Sequence, residues 1–158
     1  MTEAHLREEC LEMKVGHEPT ATKEVRSGGR VVREGLFDWP SVNPALIGHR
    51  CKLCRNVFFP RRFICPECFK EGTLEEIRLS TRGKLYTFCV LERGPMGFDP
   101  PYAVGYIDLP EGLRIYSLLT AASMEKLRIG MKMELVIEKI RLDSEGNEII
   151  GYKFKPVG

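Results

Sequence analysis

The sequence predicts a mainly β protein: a small four-cysteine ribbon followed by a five-stranded barrel carrying one short helix. Three observations predict it. Four of the six cysteines fall in two close pairs, Cys51/Cys54 and Cys65/Cys68, in the pattern C-x2-C-x10-C-x2-C. Downstream of them, apolar residues recur with period two, the side-chain repeat of a strand. Between the third and fourth of these segments Ser123 precedes the run MEKLRI and Gly130 follows it, which are helix start and stop signals.

The elements follow in order. Residues 1–35 are expected to form an N-terminal helix and an extended arm. Leu6, Cys10, Leu11, Met13 and Val15 give a short amphipathic pattern, and the glycine-rich stretch after it shows no core-forming period. Residues 36–48 are an anchor segment. Leu36, Phe37 and the single tryptophan, Trp39, ask for a surface to pack on, while Pro40 and Pro44 oppose a continuous helix. Residues 49–76 are the four-cysteine ribbon and residues 77–158 the barrel. In the first barrel strand Leu85, Thr87, Cys89 and Leu91 alternate with Tyr86, Phe88 and Val90, so both faces should be mostly buried. The loop GPMGFDPP follows, then PYAVGYIDL, which turns tightly at Pro110-Glu111-Gly112 into Leu113–Thr120. The helix comes next, then Met131–Leu142, a turn at Asp143–Asn147, and Glu148–Lys155. Three meandering strands, a helix and a hairpin are the order of an OB-fold barrel.

The chain has 158 residues, 43% of them apolar and 29% charged, with a formal net charge of +2. This balance announces neither nucleic acid nor an anionic membrane. No apolar run approaches the ~20 residues of a membrane-spanning helix. The polar N-terminus carries no secretory pattern, so a reducing, cytoplasmic setting is expected. In that setting paired cysteines bind metal more readily than they form disulfides.

Each C-x-x-C makes a tight knuckle that points two sulfurs at one centre, and two knuckles complete a tetrahedron of thiolates. Zinc suits this set, and a closed four-thiolate site is structural, with no open position for chemistry. Iron uses the same geometry, and Cys65-Pro66-Glu67-Cys68 resembles a rubredoxin knuckle, so ligand identity leaves the metal open. Arg55 and Phe69 stand where a glycine would ease each knuckle. His49 is expected at the surface and Cys89 buried in its strand. Arg50, Lys52, Arg55, Arg61 and Arg62 cluster on the ribbon. Such a cluster can grip phosphates or can simply solvate a small module.

The combination of CxxC, FFPRR, CPxC, GKLYTF, PPYAVGYIDLPEGLRIYSLLT, MEKLRIGMKMELV and YKFKP resembles a known family over residues 36–157. It is the rubredoxin-like zinc ribbon plus OB-fold family of acyl-CoA-associated proteins, long catalogued as a domain of unknown function. Its members work beside thiolase-fold enzymes, acyl-CoA hydratases or aldolases. The resemblance implies a non-catalytic subunit that binds structural zinc through Cys51, Cys54, Cys65 and Cys68. It implies a thiolase-fold partner, coenzyme A or acyl-CoA as ligand, and an aromatic 3-oxoacyl group as a candidate substrate. On that basis Arg61 and Arg62 are candidates to meet CoA phosphates. Met96 and Phe98 are candidates to line the pantetheine channel or cap the acyl group. Leu36, Phe37 and Trp39 are candidate interface anchors, the alternative being packing within the chain.

The residues agree with a role without catalysis. Thiolase chemistry needs an activated cysteine and a second acid–base group near an oxyanion hole. Here four cysteines serve the metal, and none of the three histidines, His5, His17 and His49, falls in the barrel. The alternative is a module for single-stranded nucleic acid, using Tyr86, Phe88, Tyr102, Tyr106 and Tyr116 for stacking. Its weakness is the scarcity of cations on those strands.

Overall fold

A computed structural model describes residues 29–158, apart from Ala122 and Met124. The expected helix over residues 1–15 lies outside the described residues. The described chain holds nine strands: β1 (Gly29–Val31), β2 (Ile47–Cys51), β3 (Val57–Phe58), β4 (Leu74–Arg78), β5 (Arg82–Leu91), β6 (Tyr102–Asp108), β7 (Arg114–Leu119), β8 (Lys132–Leu142) and β9 (Glu148–Pro156).

Strands β2, β3 and β4 make the three-stranded antiparallel sheet of the ribbon, in the order β3-β2-β4. The larger sheet runs β1-β9-β7-β6-β5-β8, and a further β8–β9 pairing closes the last five strands into a barrel. The β7–β9 pairing is parallel and the other barrel pairings are antiparallel. This is the expected OB-fold barrel, and the five strands lie where the period-two pattern puts them. The hairpin between β6 and β7 turns at Gly112, whose φ of 81° suits a residue without a Cβ. The Leu109 amide donates to the Leu113 carbonyl across it at 2.8 Å.

Two features differ from expectation. The segment after Ser123 is a turn, not a helix, among the described residues. The Glu125 amide reaches the Ser123 hydroxyl at 3.3 Å and the Lys126 amide its carbonyl at 3.1 Å. Beyond that, Leu127 is buried in the core and the Gly130 amide bonds to Leu85 on β5 at 2.7 Å. One turn forms too few helical bonds to offset nucleation, and the tie to β5 wins. Secondly, the end of the N-terminal arm is ordered: β1 adds to β9 in parallel, with Gly29 opposite Glu148 and Val31 opposite Ile150. A Cβ at Gly29 would lie 2.7 Å from the Ile150 side chain, which would have to shift to admit it, so glycine lets the two strands approach closely.

The core runs without a break from the ribbon base into the barrel. Leu46 and Leu79 share one buried cluster with Leu85, Ile107, Met133 and Phe154. Phe37 joins that cluster through a bridge to Leu46, and Leu36 and Trp39 pack partly buried against it. Arg78 on β4 bonds Asp38 and the Asn43 carbonyl, fixing the anchor segment to the ribbon.

Candidate metal centre and apolar cleft

Strand β2 delivers Cys51 at its end, and the chain turns back so that the Arg55 amide donates to the Cys51 carbonyl at 2.9 Å. The second knuckle repeats the bond: the Phe69 amide donates to the Cys65 carbonyl at 2.9 Å. Among the described residues Arg55 and Phe69 are the two non-glycine residues with positive φ, at 66° and 54°. The absent glycines therefore leave the knuckle geometry unchanged, with the backbone cost carried by ordinary side chains.

The two knuckles bring all four sulfurs within 4.8 Å of one another. Cys51 and Cys68 are 3.7 Å apart, and Cys54 and Cys65 3.5 Å. A tetrahedron with metal–sulfur bonds of about 2.3 Å has edges near 3.8 Å, so the set can hold a metal ion. Its electrostatics favour one. The Thr73 hydroxyl, 3.4 Å from Cys51 Sγ, together with nearby amides pulls the Cys51 thiol down to about 6. Against the lowering pull of the Asn56 amide, burial and the neighbouring sulfurs push Cys54 up to about 12. Cys68 is raised in the same way against the Lys70 amide. One thiolate thus suppresses the next, and a central cation relieves that repulsion.

Two cysteine-region expectations are corrected. His49 is buried, not at the surface, because it sits mid-sheet on β2 between Phe58 and Glu76. Its Nδ1 has no hydrogen-bond partner among the described residues, and it is not one of the clustered ligands. Burial first, then Arg61, lowers its pKa against Glu76, so the ring is held neutral. Cys89 is exposed, not buried. A register shift between Leu85 and Thr87 re-aims β5, and Cys89 falls, with Tyr86, among the positions that the described residues leave exposed.

The remaining candidates fall into two places. Arg61 and Arg62 are exposed on the ribbon, with the Arg61 guanidinium 5.6 Å from the Phe63 ring. Met96 is 91% exposed at the tip of its loop. Phe98 turns inward and stacks on Tyr102 at 5.3 Å. It joins Leu36, Val32, Tyr102, Tyr116 and Tyr152 around a cleft of about 330 Å³. The loop is held there by the Leu142 amide, which donates to the Gly97 carbonyl at 3.0 Å. Gly97 has φ 92°, and a Cβ on it would lie 2.3 Å from the Leu142 carbonyl oxygen.

Tyr102 and Tyr116 are legible as outward positions of their strands. Val32 is not, because its place depends on the β1–β9 pairing, for which the arm has no periodic signal. Beside the cleft, Tyr86, Tyr106 and Tyr116 are exposed on β5, β6 and β7. Tyr106 and Tyr116 meet edge-on at 5.4 Å, and Arg114 lies 3.2 Å over the Tyr86 ring. Arg114 is already bonded to Asp108 through both carboxylate oxygens.

The family described as the ChsH2 C-terminal OB-fold domain matches residues 76–138. A DUF35 domain-containing scaffold protein of Methanocaldococcus jannaschii is 44% identical over 115 residues, covering 71% of this chain and 82% of that protein. A benzoylsuccinyl-CoA thiolase subunit, BbsA of Thauera aromatica, is 41% identical over 114 residues, covering 72% of this chain and 78% of the subunit. A chain of the solved Ltp2-ChsH2(DUF35) aldolase superposes with a TM-score of 0.58 at 26% identity, over 71% of this chain and 84% of that one. Among the described residues no helix is long and apolar enough to cross a membrane.

Proposed function

The chain belongs to the DUF35 family, and from that membership we propose that it is a non-catalytic, zinc-binding subunit of a thiolase-type acyl-CoA complex. The observation that carries this reading is its kinship with a subunit of benzoylsuccinyl-CoA thiolase at 41% identity over 78% of that subunit. A thiolase-fold partner supplies the nucleophile and the acid–base group. This chain supplies part of the wall around the substrate, an aromatic acyl-CoA such as that relative's name describes. Zinc at Cys51, Cys54, Cys65 and Cys68 is structural, because four thiolates leave no open coordination position. Arg61 and Arg62, free to reach outward, meet the phosphates of coenzyme A by forked, charge-assisted hydrogen bonds. Met96 projects towards the partner beside the pantetheine arm, while Phe98 and Leu36 face the acyl end. Trp39 and the exposed edge of Leu36 contribute to the subunit interface.

Affinity purification of the full chain from its native extract tests this, with metal analysis of the same sample. Recovery of a thiolase-fold enzyme, with one zinc per chain, is expected. A monomer without an enzyme partner overturns the reading. The exposed Tyr86, Tyr106 and Tyr116 support one alternative, a module for single-stranded nucleic acid. Retention on single strands that falls steeply with salt would establish it.

A further inference from the structure

The cleft bounded by Phe98, Tyr102, Tyr116 and Tyr152 includes the ligand-binding face of an OB barrel, the second and third strands and the loop between the first two, and is extended by Ile140 and Tyr152 of the last two strands. On such a face strand-binding proteins interleave aromatics with cations. Here none of the described residues lining the cleft carries a charge. The polar groups it offers are hydroxyls, and burial raises the pKa of the Tyr152 and Tyr116 hydroxyls, so they stay neutral. The Tyr152 hydroxyl is also committed, donating to the Tyr116 carbonyl at 3.1 Å. On the sheet beside it, Arg114 is held by Asp108 and Tyr86, and Arg141, which follows the lining residue Ile140, turns its guanidinium to the Leu142 carbonyl at 3.2 Å. A phosphate or carboxylate would be desolvated in this cleft without a counter-charge, at a heavy cost.

The walls fit a compact apolar guest. A volume of about 330 Å³ is roughly twice the ~150 Å³ cavity that holds a benzene ring. Two walls come from outside the barrel strands. Val32 and Leu36 belong to the segment that β1 ties to β9, and Phe98 belongs to the loop that Gly97 locks to Leu142. Both are held by backbone bonds, so the cleft is built before any ligand arrives.

We infer that this cleft binds an uncharged, apolar group of aromatic-ring size, the end of an acyl chain remote from its thioester, and excludes charged groups. The identification of that group with an acyl chain rests on the acyl-CoA reading; the preference of the cleft does not. It is tested on the full chain by ¹⁹F NMR titration with 4-fluoroacetophenone and, in parallel, 4-fluorobenzoate. Saturable binding of the ketone is expected, with the carboxylate weaker by about tenfold or more. Val32→Trp fills the cleft from the arm and leaves the barrel strands untouched; it should weaken the ketone by about tenfold or more. Val42→Trp, at a position 96% exposed and away from the cleft, should leave binding unchanged. No saturable binding, or binding unaltered by Val32→Trp, overturns the inference even when the partner enzyme is recovered. Binding that appears only after deletion of residues 1–28 also overturns it, because the chain's own N-terminal segment is then the occupant. Ketone binding by a chain that recovers no partner keeps the cleft and removes the acyl-CoA reading instead.

Discussion

Gly97 and Phe69 both hold positive φ, and they make opposite predictions. Gly97→Ala drives a Cβ into the Leu142 carbonyl, a backbone atom that cannot turn aside, so a loss of at least ~1 kcal/mol is expected in denaturant unfolding. Phe69→Gly relieves a left-handed side chain that is 78% exposed. A gain of up to ~1 kcal/mol is expected for the metal-loaded chain, the relief exceeding the entropy lost by glycine. In the assembled enzyme complex, Arg61→Ala/Arg62→Ala should raise KM for the thioester roughly tenfold with kcat little changed, as expected when ground-state binding alone is lost. At this scale the four cysteines were fully legible, because their spacing is itself the geometry. His49 and Cys89 were not. Their burial depends on which strand lies beside them and on a register shift, and neither leaves a mark in local sequence.

Among the elements, the β6–β7 hairpin carries a titratable clasp. Arg114 holds the Asp108 carboxyl below its ordinary 3.8, first by hydrogen bonding and then by charge, against burial. A depressed acid stabilises the fold fully above its unfolded value and loses that contribution as pH falls through the folded one. Stability should therefore fall below about pH 4 through this group, and Asp108→Asn should flatten that part of the curve, as thermal unfolding against pH would show. The barrel strands could be read because alternation fixes both their period and their inward face. The start and stop signals after Ser123 do not make a helix: a single turn between them loses to the bond from Gly130 to Leu85. Strand β1 had no signal, since three residues of edge pairing need no periodic pattern.

For the whole molecule, the continuous core from Leu46 and Leu79 to Phe154 couples ribbon and barrel. Phe154 is fully buried, and Phe154→Ala should cost about 3–5 kcal/mol, a large part of the 5–15 kcal/mol that holds a typical domain. Removing the metal with a strong chelator should strip hydrogen-exchange protection first from the Arg55 and Phe69 amides, which close the two knuckles, and only later from the barrel strands.

Strand β9 pairs with β1, β7 and β8, so the last strand of the nine is the one that closes the barrel and fastens the arm. A ribosome delivers these parts in sequence. The ribbon is complete once β4 has emerged, with all its pairings inside residues 47–78, so its four cysteines can gather around a metal while the barrel is still an open meander. The barrel must wait for β9 and for pairings as distant as Arg82 with Glu134, which places it among more slowly closing folds of higher contact order. During that wait the edges of β7 and β8 that β9 will pair are open to other chains, and one late strand covers both at once.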